Sequence, residues 1–221
     1  MKKIVLSSFV IASLLFSVEK SASAQTLALA ATKTEKAAKA AATTYKVDAA
    51  QSKVAWNGKK VAGEHNGTIN IAAGTFQVEK NKVVGGNVDI DMASITNLDI
   101  ADKEYNQKLV GHLKSEDFFS AEKHPKANYK ISSLSPIKGA KAGEANYTAK
   151  GTLTIKGITN PVSFPVNVAV KGNTITAKSD AVVLDRSKWD IRYGSKTFFA
   201  NIGDKAIHDD FTVQFNVVAK K

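Results

Sequence analysis

The sequence predicts an all-β protein whose antiparallel strands close into an eight-stranded barrel, with one short helix and long capping loops. Three observations support this fold. Apolar residues occupy every second position over several long segments, which gives a strand one apolar face and one polar face. Glycine- and asparagine-containing turns separate these segments. The segments number eight or more, which is enough to close a barrel.

Alternation is clearest near the C-terminus, where Val162–Val170 and Phe211–Ala219 alternate apolar with polar or small side chains. Turn signals at Gly157–Pro161 and Lys171–Asn173 indicate hairpin connections. The predicted strands are Tyr45–Val47, Lys53–Val61, Gly67–Ala72, Thr75–Glu79, Val83–Ala93, Ala127–Leu134, Asn146–Lys156, Val162–Lys171, Thr174–Leu184 and Phe211–Ala219. Such strands need an enclosed space for their apolar faces, and that space is either a packed core or a cavity.

One segment has helical instead of strand periodicity. Within Ala101–Leu113, Tyr105, Leu109 and Leu113 recur at a spacing of four, which predicts a short amphipathic helix. Asp102 is its predicted N-cap.

Two irregular segments are predicted to cover the open ends of the barrel. The first, Ser115–Phe119, follows the helix and ends in two adjacent aromatic residues. The second, Asp185–Asp210, is long and rich in aromatic side chains. Its aromatic residues are Trp189, Tyr193, Phe198 and Phe199.

The N-terminal region is predicted to be a secretory leader followed by a linker. Residues 1–24 combine Lys2 and Lys3 with a short apolar stretch and the small-residue site Ala22-Ser23-Ala24, a pattern typical of a cleaved signal peptide. Residues 25–44 are rich in alanine, lysine and threonine and are predicted to be a flexible linker. The domain is predicted to span residues 45–221, in a periplasmic or secreted protein.

The composition limits the other classes of protein. The chain has no cysteine, so neither a disulfide nor a cysteine-linked lipid anchor can form. The formal net charge is +11, but the lysines are scattered and form no basic cluster interleaved with aromatic residues, so no nucleic-acid partner is predicted. Contact between the lysines and an anionic membrane stays open, as does the choice between monomer and homodimer.

Catalytic and metal motifs are weak. The triplet His208-Asp209-Asp210 has no second histidine at ligand spacing, so no metal site is predicted. Ser195 lacks the second glycine of a nucleophile elbow. His112 is interpreted as a helix-end residue that bonds nearby backbone. We therefore predict no catalytic residue and no enzymatic activity.

Three motifs in the right order resemble the YceI-like family. The run His112–Phe119 followed by Pro125 is similar to the central motif of that family. The run Gly151–Val162 is similar to its paired strands, and Val47–Ser52 to its first strand. The resemblance covers nearly the whole domain.

This resemblance implies a lipocalin-like barrel with a long hydrophobic channel. Family members are exported proteins that bind polyisoprenoids, isoprenoid quinones or other long-chain amphiphiles, so a bound isoprenoid quinone or polyprenyl lipid is expected and no further cofactor is required. The chain departs from simpler members in its leader and in the segment Trp189–Asp210.

The candidate ligand-binding residues are the apolar positions expected to face the lumen or to cap it. The lumen candidates are Trp56, Phe76, Val88, Ile90, Met92, Tyr129, Ile131, Leu153, Ile155, Phe164 and Val166. The cap candidates are Leu109, Leu113, Phe118, Phe119, Trp189, Tyr193, Phe198 and Phe199. Two alternatives stay open: an enzyme or electron-transfer accessory acting on a bound quinone, and a packed structural or adhesion module without a cavity.

Overall fold

Ten strands and one α-helix make up the part of the chain that the computed structural model describes, residues 42–221. The predicted leader and most of the predicted linker lie outside these residues. The strands are β1 (Thr43–Val47), β2 (Lys53–Lys60), β3 (Gly63–Glu79), β4 (Lys82–Asp91), β5 (Lys126–Pro136), β6 (Tyr147–Ile155), β7 (Ile158–Lys171), β8 (Thr174–Lys178), β9 (Val182–Asp185) and β10 (Ile207–Lys220). The helix α1 spans Lys103–Lys114.

Eight of these strands form a closed antiparallel ring, which confirms the predicted fold class. Strand β10 pairs with β2, and the pairing continues in chain order from β2 to β8. The ring closes because β8 pairs with β10, with Asn216 opposite Lys178. Strand β1 pairs with β10 and β3, and β9 pairs with the first half of β10.

The apolar side of the alternation faces the inside of the ring. In β7, Phe164, Val166 and Val168 are buried, and in β10, Val213 and Val217 are buried. The residues between them are more exposed. One continuous apolar interior therefore follows from the period of two along each strand.

Three predicted strands differ from those in the structure because of local irregularities. The segments predicted as Gly67–Ala72 and Thr75–Glu79 are one strand, β3, whose register with β4 shifts between Ile71 and Ala73. Such a bulge bends a strand without ending it. Conversely, the predicted strand Thr174–Leu184 is two strands, β8 and β9, which pair with different halves of β10.

Several strand boundaries also differ from the prediction; β10, for example, begins at Ile207 and not at Phe211. Strand β1 begins at Thr43, because Thr43 and Thr44 pair with β3. The turn between β6 and β7 consists of Lys156 and Gly157, both with positive φ, as in the two-residue turns that suit hairpins. Pro161, predicted to end this turn, lies within β7 opposite Thr152.

The helix α1 forms where its spacing predicted it. The Asp102 carboxylate accepts a hydrogen bond from the backbone N–H of Tyr105 at 3.0 Å, which confirms the predicted N-cap. None of the residues of α1 is buried, so the helix lies on the ring as a cover. No helix within residues 42–221 has the length and apolarity needed to cross a membrane.

Candidate functional site

The ring contains unfilled apolar space at the end that α1 covers. This outer cavity has a volume of about 150 Å³. Side chains from β2, β4, β6 and β10 form its walls, and Leu109 and Leu113 of α1 form part of its cover. The predicted residues that line it are Trp56, Ile90, Met92, Leu109, Leu113, Phe118, Phe119, Leu153 and Ile155.

A second, inner cavity of about 60 Å³ lies further along the lumen. Its lining residues are aliphatic or aromatic and all belong to strands. The predicted residues that line it are Phe76, Val88, Ile90, Tyr129, Ile131, Phe164 and Val166.

Ile90 and Phe215 line both cavities and separate them. Phe215 stacks on Phe164 with 5.3 Å between ring centroids, and Phe164 lies 5.3 Å from Tyr129. The three aromatic rings come from β10, β7 and β5. The lumen is therefore an apolar space that these two side chains divide into two cavities.

The chain after β4 closes one side of the outer cavity. The Trp56 indole N–H donates to the carbonyl oxygen of Thr96 at 3.1 Å. A Cβ atom at Gly67 would lie only 1.8 Å from the same oxygen. Gly67 thus permits a close approach that a side chain would prevent, and this approach places Ile95 in the cavity wall.

Four predicted cap residues line neither cavity. Trp189 is 1% exposed, and its indole N–H donates to the carbonyl oxygen of Leu153 at 3.1 Å. It packs in the core and supports the wall from behind. Phe198 lies against the Arg192 guanidinium at 4.9 Å, and Phe199 is exposed.

Tyr193, the fourth, lies outside the cavities beside the end of α1. Its ring meets the edge of the His112 ring at 4.5 Å, and the His112 ring meets Phe118 at 4.9 Å. His112 Nε2 lies 2.9 Å from Asp117 Oδ2. The prediction that His112 bonds nearby backbone is wrong for its ring: the partner is a carboxylate. The cluster joins α1 to the segment after β9.

Sequence reasoning missed several lining residues. Phe211, Val213 and Phe215 alternate along a predicted strand, and that alternation could have identified them. Others lie in loops or at strand ends, where no periodicity marks them. The missed lining residues of the outer cavity include Val54, Ile69, Ile95, Leu184, Arg186, Ile191, Ile207, Phe211, Val213 and Phe215, together with His65 and His208.

Arg186 is a buried cation in the wall of the outer cavity, with its side chain 5% exposed. Its Nε donates to the carbonyl oxygen of His208, and Nη1 to those of Ile191 and Tyr193. Nη2 donates to the carbonyl oxygen of Ile207. These bonds attach the segment after β9 to the start of β10.

Asp209 balances the charge of Arg186, with Oδ1 3.3 Å from Arg186 Nη2. Burial raises the pKa of Asp209, but hydrogen bonds from Ser195 and Thr197 and the charge of Arg186 outweigh burial and bring the pKa below its usual value. Burial lowers the pKa of Arg186, and the charge of Asp209 opposes this effect. The site contains a compensated ion pair, in which the guanidinium is already bound.

Asp99 holds the imidazole of His65, a second polar side chain in the wall of the outer cavity, in place. Its Oδ1 accepts from the backbone N–H of Asn66 at 2.7 Å and from Asn97 Nδ2 at 2.6 Å. Its Oδ2 lies 2.7 Å from Nδ1 of His65, which lines the cavity. Asn97 is itself buried and bonded to Asn106 of α1, so the same network holds the start of the helix.

Tyr129 is the polar residue of the inner cavity. Its hydroxyl donates to the carbonyl oxygen of Val162 at 3.2 Å. Burial raises the pKa of Tyr129 to about 12. Within residues 42–221, no group of three or more histidine or carboxylate side chains is arranged to hold a metal ion.

The chain belongs to the YceI-like family, whose YceI-like domain matches residues 45–219. Among curated relatives, a UPF0312 protein of Photorhabdus laumondii is 26% identical over 155 residues, which are 70% of this chain and 74% of that protein.

Solved structures show the same fold. BcnA of Burkholderia cenocepacia has a TM-score of 0.58 at 28% identity, over 79% of this chain and 99% of that chain. A polyisoprenoid-binding domain from Saccharophagus degradans, implicated in plant cell wall breakdown, has a TM-score of 0.55 at 16% identity. That match covers 80% of this chain and 97% of the domain. The predicted family and the lipocalin-like fold are confirmed.

Proposed function

We propose that the protein binds one long-chain amphiphile, with the apolar chain of the ligand in the lumen. The ligand class that we favour is an isoprenoid or an isoprenoid quinone, which the protein sequesters or carries. The observation that supports this most is the apolar lining, which continues from Leu109 under α1, past Ile90 and Phe215, to Val217 in the inner cavity. Family membership and the polyisoprenoid-binding neighbour support the same class of ligand.

Burial of the chain supplies the binding energy without any catalytic group. Apolar surface contributes about 25 cal/mol per Å² removed from water, so a chain that buries about 400 Å² gains about 10 kcal/mol before the entropy of association. The outer cavity of about 150 Å³ accepts the first part of such a chain. A longer chain enters the inner cavity when Ile90 and Phe215 move aside.

The location follows from the predicted leader, residues 1–24, and we propose that the mature protein works in the periplasm or outside the cell. We propose no catalytic step for it. Transfer of the ligand to or from a membrane fits this role, because α1 covers the outer cavity without burying any of its own residues. Because an element with so little buried surface opens at a low cost in free energy, the ligand enters beneath α1 in this proposal.

The test is native mass spectrometry of the mature protein purified from its own host, followed by organic extraction and identification of the lipid. We expect a one-to-one adduct that extracts as a polyprenyl or other long-chain species. Protein that is free of adduct and also fails to bind added quinones and polyprenols would overturn the proposal and favour a packed module.

A variant whose outer cavity is blocked tests whether the ligand occupies that cavity, and a matched variant outside the cavity is its control. Gly58 lines the outer cavity, and a Cβ atom there meets nothing within 4 Å, so Gly58→Leu puts a side chain into free space. Gly111 on α1 also has open space at its Cβ but does not line either cavity. We expect Gly58→Leu to lose most of the adduct and Gly111→Leu to retain it.

A further inference from the structure

Most polar groups around the outer cavity already have protein partners. The Trp56 indole N–H is bonded to Thr96. The N–H groups of Arg186 are bonded to four backbone carbonyl oxygens and paired with Asp209. Lys59 pairs with Glu64. Lys60 and His208 are exposed to solvent. These groups do not offer a ligand a sheltered hydrogen bond.

His65 differs from these groups, because it is half-buried in the wall and one of its ring nitrogens remains available. Nδ1 is engaged by Asp99 at 2.7 Å, which leaves Nε2. Asp99 is held by Asn66 and Asn97 through its other oxygen, so the carboxylate that orients the ring is itself immobile.

The ionisation state of Asp99 determines which ring nitrogen of His65 carries the proton. Burial raises the pKa of Asp99, but the hydrogen bonds from Asn66, His65 and Asn97 outweigh it and bring the pKa below its usual value. An ionised carboxylate only accepts hydrogen bonds, so Nδ1 of His65 carries the proton. In the neutral imidazole, Nε2 is then an acceptor with a free lone pair.

Space for a ligand exists beside the His65 side chain. Gly58 is the cross-strand neighbour of His65 on one side and of Phe211 on the other. All three line the outer cavity, and the Cβ position of Gly58 is open. A polar headgroup can therefore lie between an aromatic ring and an imidazole at the entrance of the apolar channel.

We propose that His65 Nε2 accepts a hydrogen bond from a hydroxyl group on the ligand. The outer cavity then selects long-chain alcohols and reduced quinols, which have an O–H donor, over chains whose headgroup is only an acceptor, such as an ether or a ketone. This selectivity rests on the proposed function, since it requires the apolar chain to lie in the lumen.

The experiment compares farnesol with farnesyl methyl ether at pH 8.5, by intrinsic tryptophan fluorescence and calorimetry. His65→Leu supplies the reference ratio of the two affinities, because that ratio reflects hydrophobicity alone. We expect the native protein to favour farnesol about fivefold to tenfold more than this reference, which is the effect of one hydrogen bond.

Asp99→Asn is the sharper variant. The amide oxygen retains the bonds from Asn66 and Asn97, while the amide N–H donates to His65 Nδ1. This change moves the imidazole proton to Nε2, which then donates a hydrogen bond instead of accepting one. A donor can bond the oxygen of an ether as well as the oxygen of an alcohol, so it gives no preference for an O–H group. We expect the selectivity for farnesol to fall to the His65→Leu reference, with the affinity for the ether raised.

Asp117→Asn is the matched control. It makes the same change at the His112–Asp117 pair, whose imidazole does not line a cavity, and it should leave the selectivity unchanged. If the native protein binds both probes at the reference ratio, the proposed role of His65 is wrong and the proposed function stands. If neither probe binds the native protein, both proposals fail.

Discussion

The two halves of the lumen are built from different kinds of structure. Strands alone line the inner cavity, and its side chains are apolar except for the Tyr129 hydroxyl. The outer cavity takes part of its lining from α1, from loops and from the short 3-10 helix Arg186–Trp189, and its walls include His65 and Arg186. The inner half is thus a uniform apolar container, whereas at the outer end the start of β3 and the segment after β9 contribute polar groups, His65 and Arg186, that can distinguish one headgroup from another.

Truncation in the inner half should have the largest effect on stability. Phe164 is 7% exposed and lies between the rings of Tyr129 and Phe215. Phe164→Ala removes these contacts, and we expect a loss of about 4 kcal/mol in the free energy of unfolding, measured with urea. Leu109→Ala on the half-buried face of α1 should cost less than about 1 kcal/mol. Equal losses would contradict the view that α1 is only a cover.

Removal of the buried cation Arg186 measures how much the outer half contributes to the free energy of unfolding. Arg186→Met leaves Asp209 without its cation and frees four carbonyl oxygens, so we expect a loss of about 3 kcal/mol. Arg192→Met removes an exposed partner of Asp190 and should cost less than about 1 kcal/mol. If Arg186→Met were harmless to stability yet abolished ligand binding, Arg186 would be a headgroup ligand instead of a structural clamp.

High pH should destabilise the inner half. The pKa of Tyr129 is 10.0 in the unfolded reference and about 12 in the folded protein. Between these values the unfolded chain releases the proton while the folded protein retains it, so stability falls as the pH rises, by up to about 1.4 kcal/mol per pH unit. Urea unfolding from pH 9 to pH 12 measures this slope. In Tyr129→Phe the contribution of Tyr129 to this slope should be lost. An unchanged slope would show that the buried Tyr129 hydroxyl is not the cause of the loss of stability.

Narrowing the inner cavity should affect only long ligands. Ala177 lines the inner cavity alone, and Ala177→Leu fills part of it. We expect the affinity for a chain of about 20 carbons, such as geranylgeraniol, to fall about tenfold, which corresponds to about 1.4 kcal/mol. The affinity for geraniol, half as long, should not change. Ala127→Leu, in the outer cavity, should weaken both, and a uniform effect of Ala177→Leu would show that the partition does not open.

The strand-built part of the site could be predicted because its signal is local. Phe164 and Val166 line the inner cavity and Leu153 and Ile155 the outer one, and each stands at an apolar position of a two-residue alternation. Residues in the irregular segments had no such signal. Trp189 was expected at the mouth and instead packs behind the wall, bonded to Leu153, because composition shows that a segment is aromatic but not which way it turns.

The sequence by itself determined the all-β class, the capped helix after Asp102 and the family, because each depends on residues a few positions apart or on motifs in order. Only the tertiary structure decided that the lumen is partitioned at Ile90 and Phe215, that Arg186 is neutralised by Asp209, and that Asp99 orients His65. The last two residues are separated by 34 positions in the chain. Their contact depends on how β3 and the segment after β4 approach each other when the ring closes, and no local pattern encodes that distance.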